Sequence, residues 1–318
     1  MGLFNIFKKK SKENLPENSV QKNASEIHSY YNEAGIKISS PEKYTALTQQ
    51  EGGALINSLL NADEIYCPYS RHTGEPYVFQ TIKVNDNTFA AHPSKIKAWD
   101  SSNMQDGYDE EIFEIRKIER GENGNGIMSF LMDTFYLNGV AEIEFNGINR
   151  PIPAGMLTKK PDFSNLPEVQ QPIMNPEIML YLLTTAQIGS AKTEGEQIVT
   201  NIYMQLFAEN LRNAKFLVPM KNNAPIPNPD ENGKVVLEKN TSFILGIRKN
   251  EHGRDIMDLF TDNKQLHNLL DDEWGGLIQP FTECIKNYDC CINFSQQYPM
   301  LPFYIDMKRF QQLMAMVK

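Results

Sequence analysis

The sequence predicts an α+β fold (mixed α/β) in two similar domains, each a small mixed sheet packed with helices. Three observations carry this. Runs that alternate like strands, such as Ile112 to Ile118 (IFEIRKI), are interleaved with runs at helical spacing, such as Leu55, Ile56, Leu59 and Leu60. Pro161, Pro167, Pro172 and Pro176 crowd the stretch from Lys159 to Pro176, where they block regular helix and central strand. The order of elements before that stretch returns after it, at an offset of about 150 residues.

At 318 residues the chain exceeds what a single hydrophobic core usually serves, so more than one domain is expected. The expected division is a short apolar and basic leader with a disordered tether over 1–43, a first α+β domain over 44–158, the proline-rich linker over 159–176 and a second α+β domain over 177–318. A content of 41% hydrophobic and 22% charged residues is that of a soluble globular protein. Thirty-one basic against forty acidic residues give a formal charge of −9, which argues against a protein that grips nucleic acid by neutralising phosphates. Cys67, Cys284, Cys290 and Cys291 are too few and too clustered for a disulfide framework, so a reduced, cytoplasmic chain is expected. No segment approaches the ~18 consecutive apolar residues of a membrane span.

The leader sets Leu3, Phe4, Ile6 and Phe7 just before Lys8, Lys9, Lys10 and Lys12. A secretory signal has its charges before a longer apolar core, and a myristoylation motif would need Ser or Thr where Ile6 stands. Two readings remain. One is an amphipathic foot making weak peripheral contact with an anionic membrane at its inner face, or with a partner groove. The other is a flexible leader with no stable contact.

In the first half, a helix is expected over Tyr44 to Leu60, then a short strand, Glu64 to Pro68, ended by its proline. The turn Arg71 to Glu75 leads into a hairpin of Tyr77 to Val84 and the TFAAH run, rich in aromatic and β-branched residues. Pro93-Ser94 starts a short helix holding Ile96 and Trp99. After a polar loop comes the strand Ile112 to Ile118. The glycine-rich GENGNG (Gly121 to Gly126) lacks the GK[ST] ending of a phosphate loop and carries Glu122, so it is a turn. A helix over Ile127 to Leu137 and strands over Val140 to Phe145 and Ile152 to Leu157 complete this half.

In the second half, helices are expected over Glu177 to Thr185 and Glu196 to Leu211, leading into the apolar strand KFLVP. Lys221 to Asn240 is a long hairpin excursion turning at Asn232-Gly233. Phe243 to Ile247 is a buried strand with a basic exit, and DIMDLFT is its hairpin partner. Asp262 or Asn263 caps a helix carrying Leu266, Leu269 and Leu270. Trp274 to Cys284 leads to a further helix, Cys290 to Phe294 is a buried strand, and Tyr298 to Pro302 turns into the strand Phe303 to Ile305. Asp306 caps the last helix.

The halves align as LLNADEIYCP (Leu59 to Pro68) with LRNAKFLVP (Leu211 to Pro219), and as NGVAEIEFNGINRPIPAGM with NYDCCINFSQQYPMLPFYIDM. An internal duplication accounts for this, against the rival of two unrelated domains with coincident local signals. The second half also resembles the SseB (enhanced serine sensitivity) family in its N-terminal-domain form. FLVP, the run LFTDNKQLHNLL with Phe260 and Thr261, the segment INFSQQYPMLPFYIDMKRFQQLM and the MGLF leader followed by lysines carry the resemblance. Asn293-Phe294 replaces the Asn-Pro of the family pattern, and the glycine of that turn is absent. The resemblance implies an α+β fold and no catalytic residues.

No G-x-S-x-G, H-E-x-x-H or P-loop occurs, and His28, His72, His92, His252 and His267 share no ligand spacing with cysteine. No metal or cofactor is expected. Cys284 with Cys290-Cys291 is either a redox pair or a set of small buried residues. Asp109-Glu110-Glu111 and Asp271-Asp272-Glu273 fall in loops. Arg248, Lys249, His252 and Arg254 form a basic hairpin tip, either a hold for an acidic partner or a solvated turn. The sequence therefore favours a non-catalytic module that binds another protein, with no nucleic-acid partner. The alternative is an enzyme or small-ligand sensor with a site between the domains.

Overall fold

A computed structural model describes residues 49–85, 88–104, 108–122, 125–148, 150–167, 171–222, 242–295 and 302–317. The leader, the tether, most of the 221–240 excursion and most of the turn before Pro302 lie outside the described residues.

The chain is an α+β protein. Its elements are α1 (Gln49–Asn61), β1 (Glu64–Ser70), β2 (Ile82–Asn85), β3 (Thr88–Ala91), β4 (Lys95–Ala98), β5 (Phe113–Glu119), α2 (Asn125–Tyr136), β6 (Glu142–Phe145), β7 (Ile152–Pro153) and α3 (Ala154–Leu157). There follow α4 (Pro176–Ile188), α5 (Glu194–Leu211), β8 (Lys215–Asn222), β9 (Phe243–Leu245), β10 (Ile247–Lys249), β11 (Asp255–Phe260) and α6 (Asn263–Leu269). The chain closes with β12 (Gly275–Pro280), α7 (Phe281–Asn287), β13 (Asp289–Asn293), β14 (Phe303–Ile305) and α8 (Met307–Met314). Its contacts divide it into two compact units, one holding the chain up to Lys159 with Leu183–Met204, the other Lys160–Leu182 with Gln205–Lys318. This differs from the sequence-based division in residues 183–204, which group with the first unit.

In the first unit β1 runs antiparallel to β5, β4 parallel to β6, and β6 antiparallel to β7. An isolated antiparallel bridge, Tyr66↔Trp99, ties β1 to the end of β4. Alternation then sorts the side chains. Ile65, Ile96, Ala98, Ile143, Phe145 and Ile152 lie on one face and are fully buried, as are Leu59 of α1 and Leu131 of α2. Lys95, Lys97, Glu142 and Glu144 lie on the other.

In the second unit the order is β12-β8-β11-β13-β14, with β9 on β8 and β10 on β11. One face carries Phe216, Val218, Leu259, Cys290, Ile292, Phe303 and Ile305, all buried. Helical aromatics pack on it edge-on, Phe207 lying 5.1 Å from Phe303 and Phe281 5.9 Å from Phe216, and Phe281 meets Phe310 of α8 in a tilted contact at 5.5 Å. On the opposite face Leu217 and Phe260 are covered by Leu266 of α6, with Ile173, Leu269, Leu270 and Ile278 around them. The rest of that face carries Arg248, Asp258, Asp289, Cys291 and Tyr304.

The two strand paths are the same. Stepping across β5-β1-β4-β6-β7 gives antiparallel, antiparallel, parallel, antiparallel; stepping across β12-β8-β11-β13-β14 gives that series again. Pro68 and Pro219 occupy matching places. Each carbonyl accepts a hydrogen bond from the segment that follows, from Tyr77 N at 2.8 Å and from Gly246 N at 2.7 Å.

Several expectations are corrected. The short helix expected from Pro93-Ser94 is strand β4, because Lys95 and Lys97 alternate with buried Ile96 and Ala98 at a period of two. Strand β1 does not stop at Pro68 but runs on to Ser70. The Pro68 carbonyl points away from β5, so its missing N–H faces that way too and the ladder loses nothing. Residues 154–157, expected as strand, form the helical turn α3. Gly275–Pro280, expected only as a lead into a helix, is strand β12. Its glycine Gly276 is there for space, since a Cβ would meet Leu217 at 2.8 Å. The expected buried strand 243–247 is broken at Gly246 and exposed at its start.

Candidate functional site

The residues named for a contact from the sequence, Arg248, Lys249 and Arg254, lie on the β10–β11 hairpin at the rim of the polar face of the second sheet. Register explains what they meet. Arg248 stands opposite Ile256, so Asp258, two residues on, shares its face. The Arg248 guanidinium forks onto that carboxylate, with Nε donating to Oδ2 at 3.0 Å and Nη2 to Oδ1 at 3.2 Å. Lys249 Nζ lies 2.8 Å from Asp255 Oδ1, and Arg254 Nη1 lies 3.9 Å from Asp289 Oδ2. The tip is therefore not an excess of positive charge, because each of the three cations faces an aspartate. Leu3, Phe4, Ile6, Phe7, Lys8, Lys9 and Lys10 lie outside the described residues.

Inward from the tip the face becomes a hydrogen-bonded row. The Tyr304 hydroxyl donates to Asp289 Oδ2. Burial, then this bond, raises the tyrosine's pKa. The buried Asn293 donates from Nδ2 to Cys291 O at 3.3 Å and to Asp258 Oδ1 at 3.4 Å. Burial, and after it the charge of Asp258, pushes the Cys291 thiol up to about 12. Burial pushes Cys284 up to about 11 and raises Cys290 and Cys67 as well. All four side chains are thus held as neutral thiols, which are poor nucleophiles. Cys290 and Cys291 also point to opposite faces of β13.

The first unit builds its polar face differently. Glu144 lies between Lys95, at 2.5 Å, and Lys97, at 3.3 Å, and is itself only 9% exposed. The Lys97 ammonium also sits 5.2 Å from the centroid of the Phe79 ring. A chain of tilted and edge-on aromatic contacts continues from there through Tyr77, Phe113 and Tyr108 to Trp99. The buried Trp99 Nε1 finds no acceptor among the described residues.

The feature that sequence reasoning missed is β9. Phe243 is 40% exposed and Ile244 62% exposed. Among the described residues β9 pairs with β8 alone, so its other edge carries no strand. The run SFILGI has the composition of a buried strand, and only the pairing shows it to be an edge. Gly246 makes the break that ends β9, because a Cβ there would meet Pro219 Cβ at 2.8 Å.

Other candidate groups do not converge. Asp109 accepts from Glu111 N at 2.9 Å and Asp271 from Glu273 N at 3.0 Å, as turn residues do. Among the described residues no cluster of His, Cys, Asp and Glu could hold a metal ion, and no helix is long and apolar enough to cross a membrane. No protein-family model matches the chain, and no curated protein or solved structure matches it.

Proposed function

We propose that the protein is a non-catalytic, SseB-like binding module of the cytoplasm, and that it works by holding another protein at the free edge of β9 in its second sheet. The observation that carries this reading is β9. A strand with a free edge and an exposed Phe-Ile pair is a template for pairing with another chain, and soluble proteins normally blunt such edges. Backbone pairing supplies affinity in such contacts, and the flanking side chains supply selectivity. The paired charges of Arg248, Lys249 and Arg254 border this edge and fit a polar rim around an apolar centre.

Affinity capture from lysate of the source cells tests it, comparing the natural chain with the double variant Phe243→Ser, Ile244→Lys. A partner retained by the natural chain is expected to fall about tenfold or more with the variant, a loss of about 1.4 kcal/mol in binding. Equal retention by both chains overturns the reading.

The leader adds a weak membrane foot to this proposal, its apolar residues and lysines suiting an anionic surface. The full chain is expected to sediment with vesicles of phosphatidylserine and phosphatidylcholine, and a chain lacking residues 1–12 to remain in solution. Equal sedimentation of the two removes the foot.

A further inference from the structure

Between β1 and β4 of the first unit the chain makes a V. One leg lies beside β1, through the Tyr69↔Pro76 bridge and the bond from Tyr77 N to Pro68 O at 2.8 Å. The other lies beside β4, where Phe79 and Lys95 exchange two bonds of 2.8 Å. Successive residues of a strand turn their N–H and C=O to opposite sides. Pro76 C=O and Val78 N–H therefore point into the notch between the legs. Gln187 of α4 fills it, its Oε1 accepting from Val78 N at 3.2 Å and its Nε2 donating to Pro76 O at 3.4 Å. That carboxamide is 8% exposed and stands in for a missing strand.

The second unit repeats the V. Leu245 lies opposite Met220 and Gly246 N donates to Pro219 O at 2.7 Å, while Gly246 O accepts from Asp258 N at 3.3 Å and Ile247 lies opposite Met257. By the same alternation Leu245 C=O and Ile247 N–H hold the places of Pro76 C=O and Val78 N–H. Both residues are half-buried, and among the described residues no side-chain carboxamide is hydrogen-bonded to Leu245 O or Ile247 N. The exposed Phe243 and Ile244 lead directly into it.

From this internal precedent we infer that the Leu245–Ile247 notch is a recognition slot for the side-chain carboxamide of a Gln or Asn in an extended, apolar partner segment. The inference rests on the partner-binding reading of β9 and names the group that the partner must supply. The amide donates to Leu245 C=O and accepts from Ile247 N–H, as Gln187 does in the first unit. The segment's apolar side chains cover Phe243 and Ile244. One amide fits where the V is narrow, and a carboxylate in its place could not donate to the carbonyl.

Residue-resolved hydrogen exchange on the full chain comes first. The Val78 amide is expected to exchange at least about a hundredfold more slowly than the Ile247 amide, and Gln187→Leu to raise the Val78 rate to that of Ile247. Comparable protection of the two amides in the natural chain would mean that the chain fills its own notch, and would overturn the inference. The second arm uses short Val/Thr-rich peptides that differ only in a central Gln, Asn, Glu or Leu. Gln and Asn peptides are expected to bind about tenfold or more tighter than Glu and Leu peptides, to protect Ile247 on binding, and to be lost with Ile244→Lys. Equal binding of Gln and Leu peptides, or binding of none, defeats the carboxamide slot. The capture experiment above decides separately whether β9 holds a partner at all.

Discussion

The two units solve one architectural problem in two ways. Each lays out five strands in the same order and directions, and each buries one face with fully enclosed aliphatic and aromatic side chains. They part on the other face and on the V. In the first unit Glu144 is enclosed between two lysines, an aromatic row closes over the face, and Gln187 seals the notch. In the second the ion pairs stand at the rim and the strand leading into the notch is exposed. A repeated frame can thus hold one closed copy and one open copy.

The comparison is broken most directly at the ion pairs. Glu144→Gln is expected to cost about 2 kcal/mol, because it removes the carboxylate that pairs two lysines whose side chains are only 25% and 17% exposed. Asp258→Asn is expected to cost less than about 1 kcal/mol, because Arg248 is 42% exposed and regains solvent. Urea unfolding at unchanged m would measure both. Equal costs would show that the second polar face is as closed as the first.

Much of the frame was legible because its signals are local. IFEIRKI announced β5 by alternation, FLVP announced β8, and Asp262 and Asp306 announced the helices they cap, accepting from Gln265 N and Arg309 N. The offset of about 150 residues pointed to the recurrence of the strand path, although few identities support it. What was hidden depends on neighbours in space. The run KIKA is too short to show its period without β6 beside it. Likewise, GGLIQP reads as a loop until Leu217 shows why a glycine must stand opposite Pro219. An edge strand and a core strand share one composition, so the exposure of Phe243 and Ile244 could not be read. The basic tip was visible in the hairpin, but two of its counter-charges, Asp258 and Asp289, come from positions that only pairing brings near.

The finest contrast lies in two aspartates that follow matching strands. Asp100 comes just after β4 and accepts from Ser102 N and Asn103 N, both at 3.0 Å. Asp262 comes just after β11 and accepts from Gln265 N at 3.0 Å and from the Thr261 hydroxyl at 2.8 Å. Burial acts to raise both. At Asp100 it is outweighed by hydrogen bonds from Asn103, Asn146 and the backbone, and the carboxyl is held below its usual range. At Asp262, which is 2% exposed, burial prevails and the carboxyl is raised. The signs of the linkage are therefore opposite. Asp100 contributes stability above the unfolded carboxyl value, and that contribution is lost as pH falls through its lowered folded value. Asp262 favours the folded state when protonated, and its contribution is lost as pH rises from the unfolded value through the raised folded one. Thermal unfolding between pH 3 and 7 should therefore show Asp100→Asn reducing the acid loss of stability. Asp262→Asn keeps an acceptor for Gln265 N and should remove the decline above the ordinary carboxyl range. Asp262→Ala should lose the cap, about 1 kcal/mol, at every pH. If Asp262→Asn instead reduces the acid loss of stability, as Asp100→Asn does, the second copy is no more enclosed at this point than the first, and the contrast between the two aspartates fails.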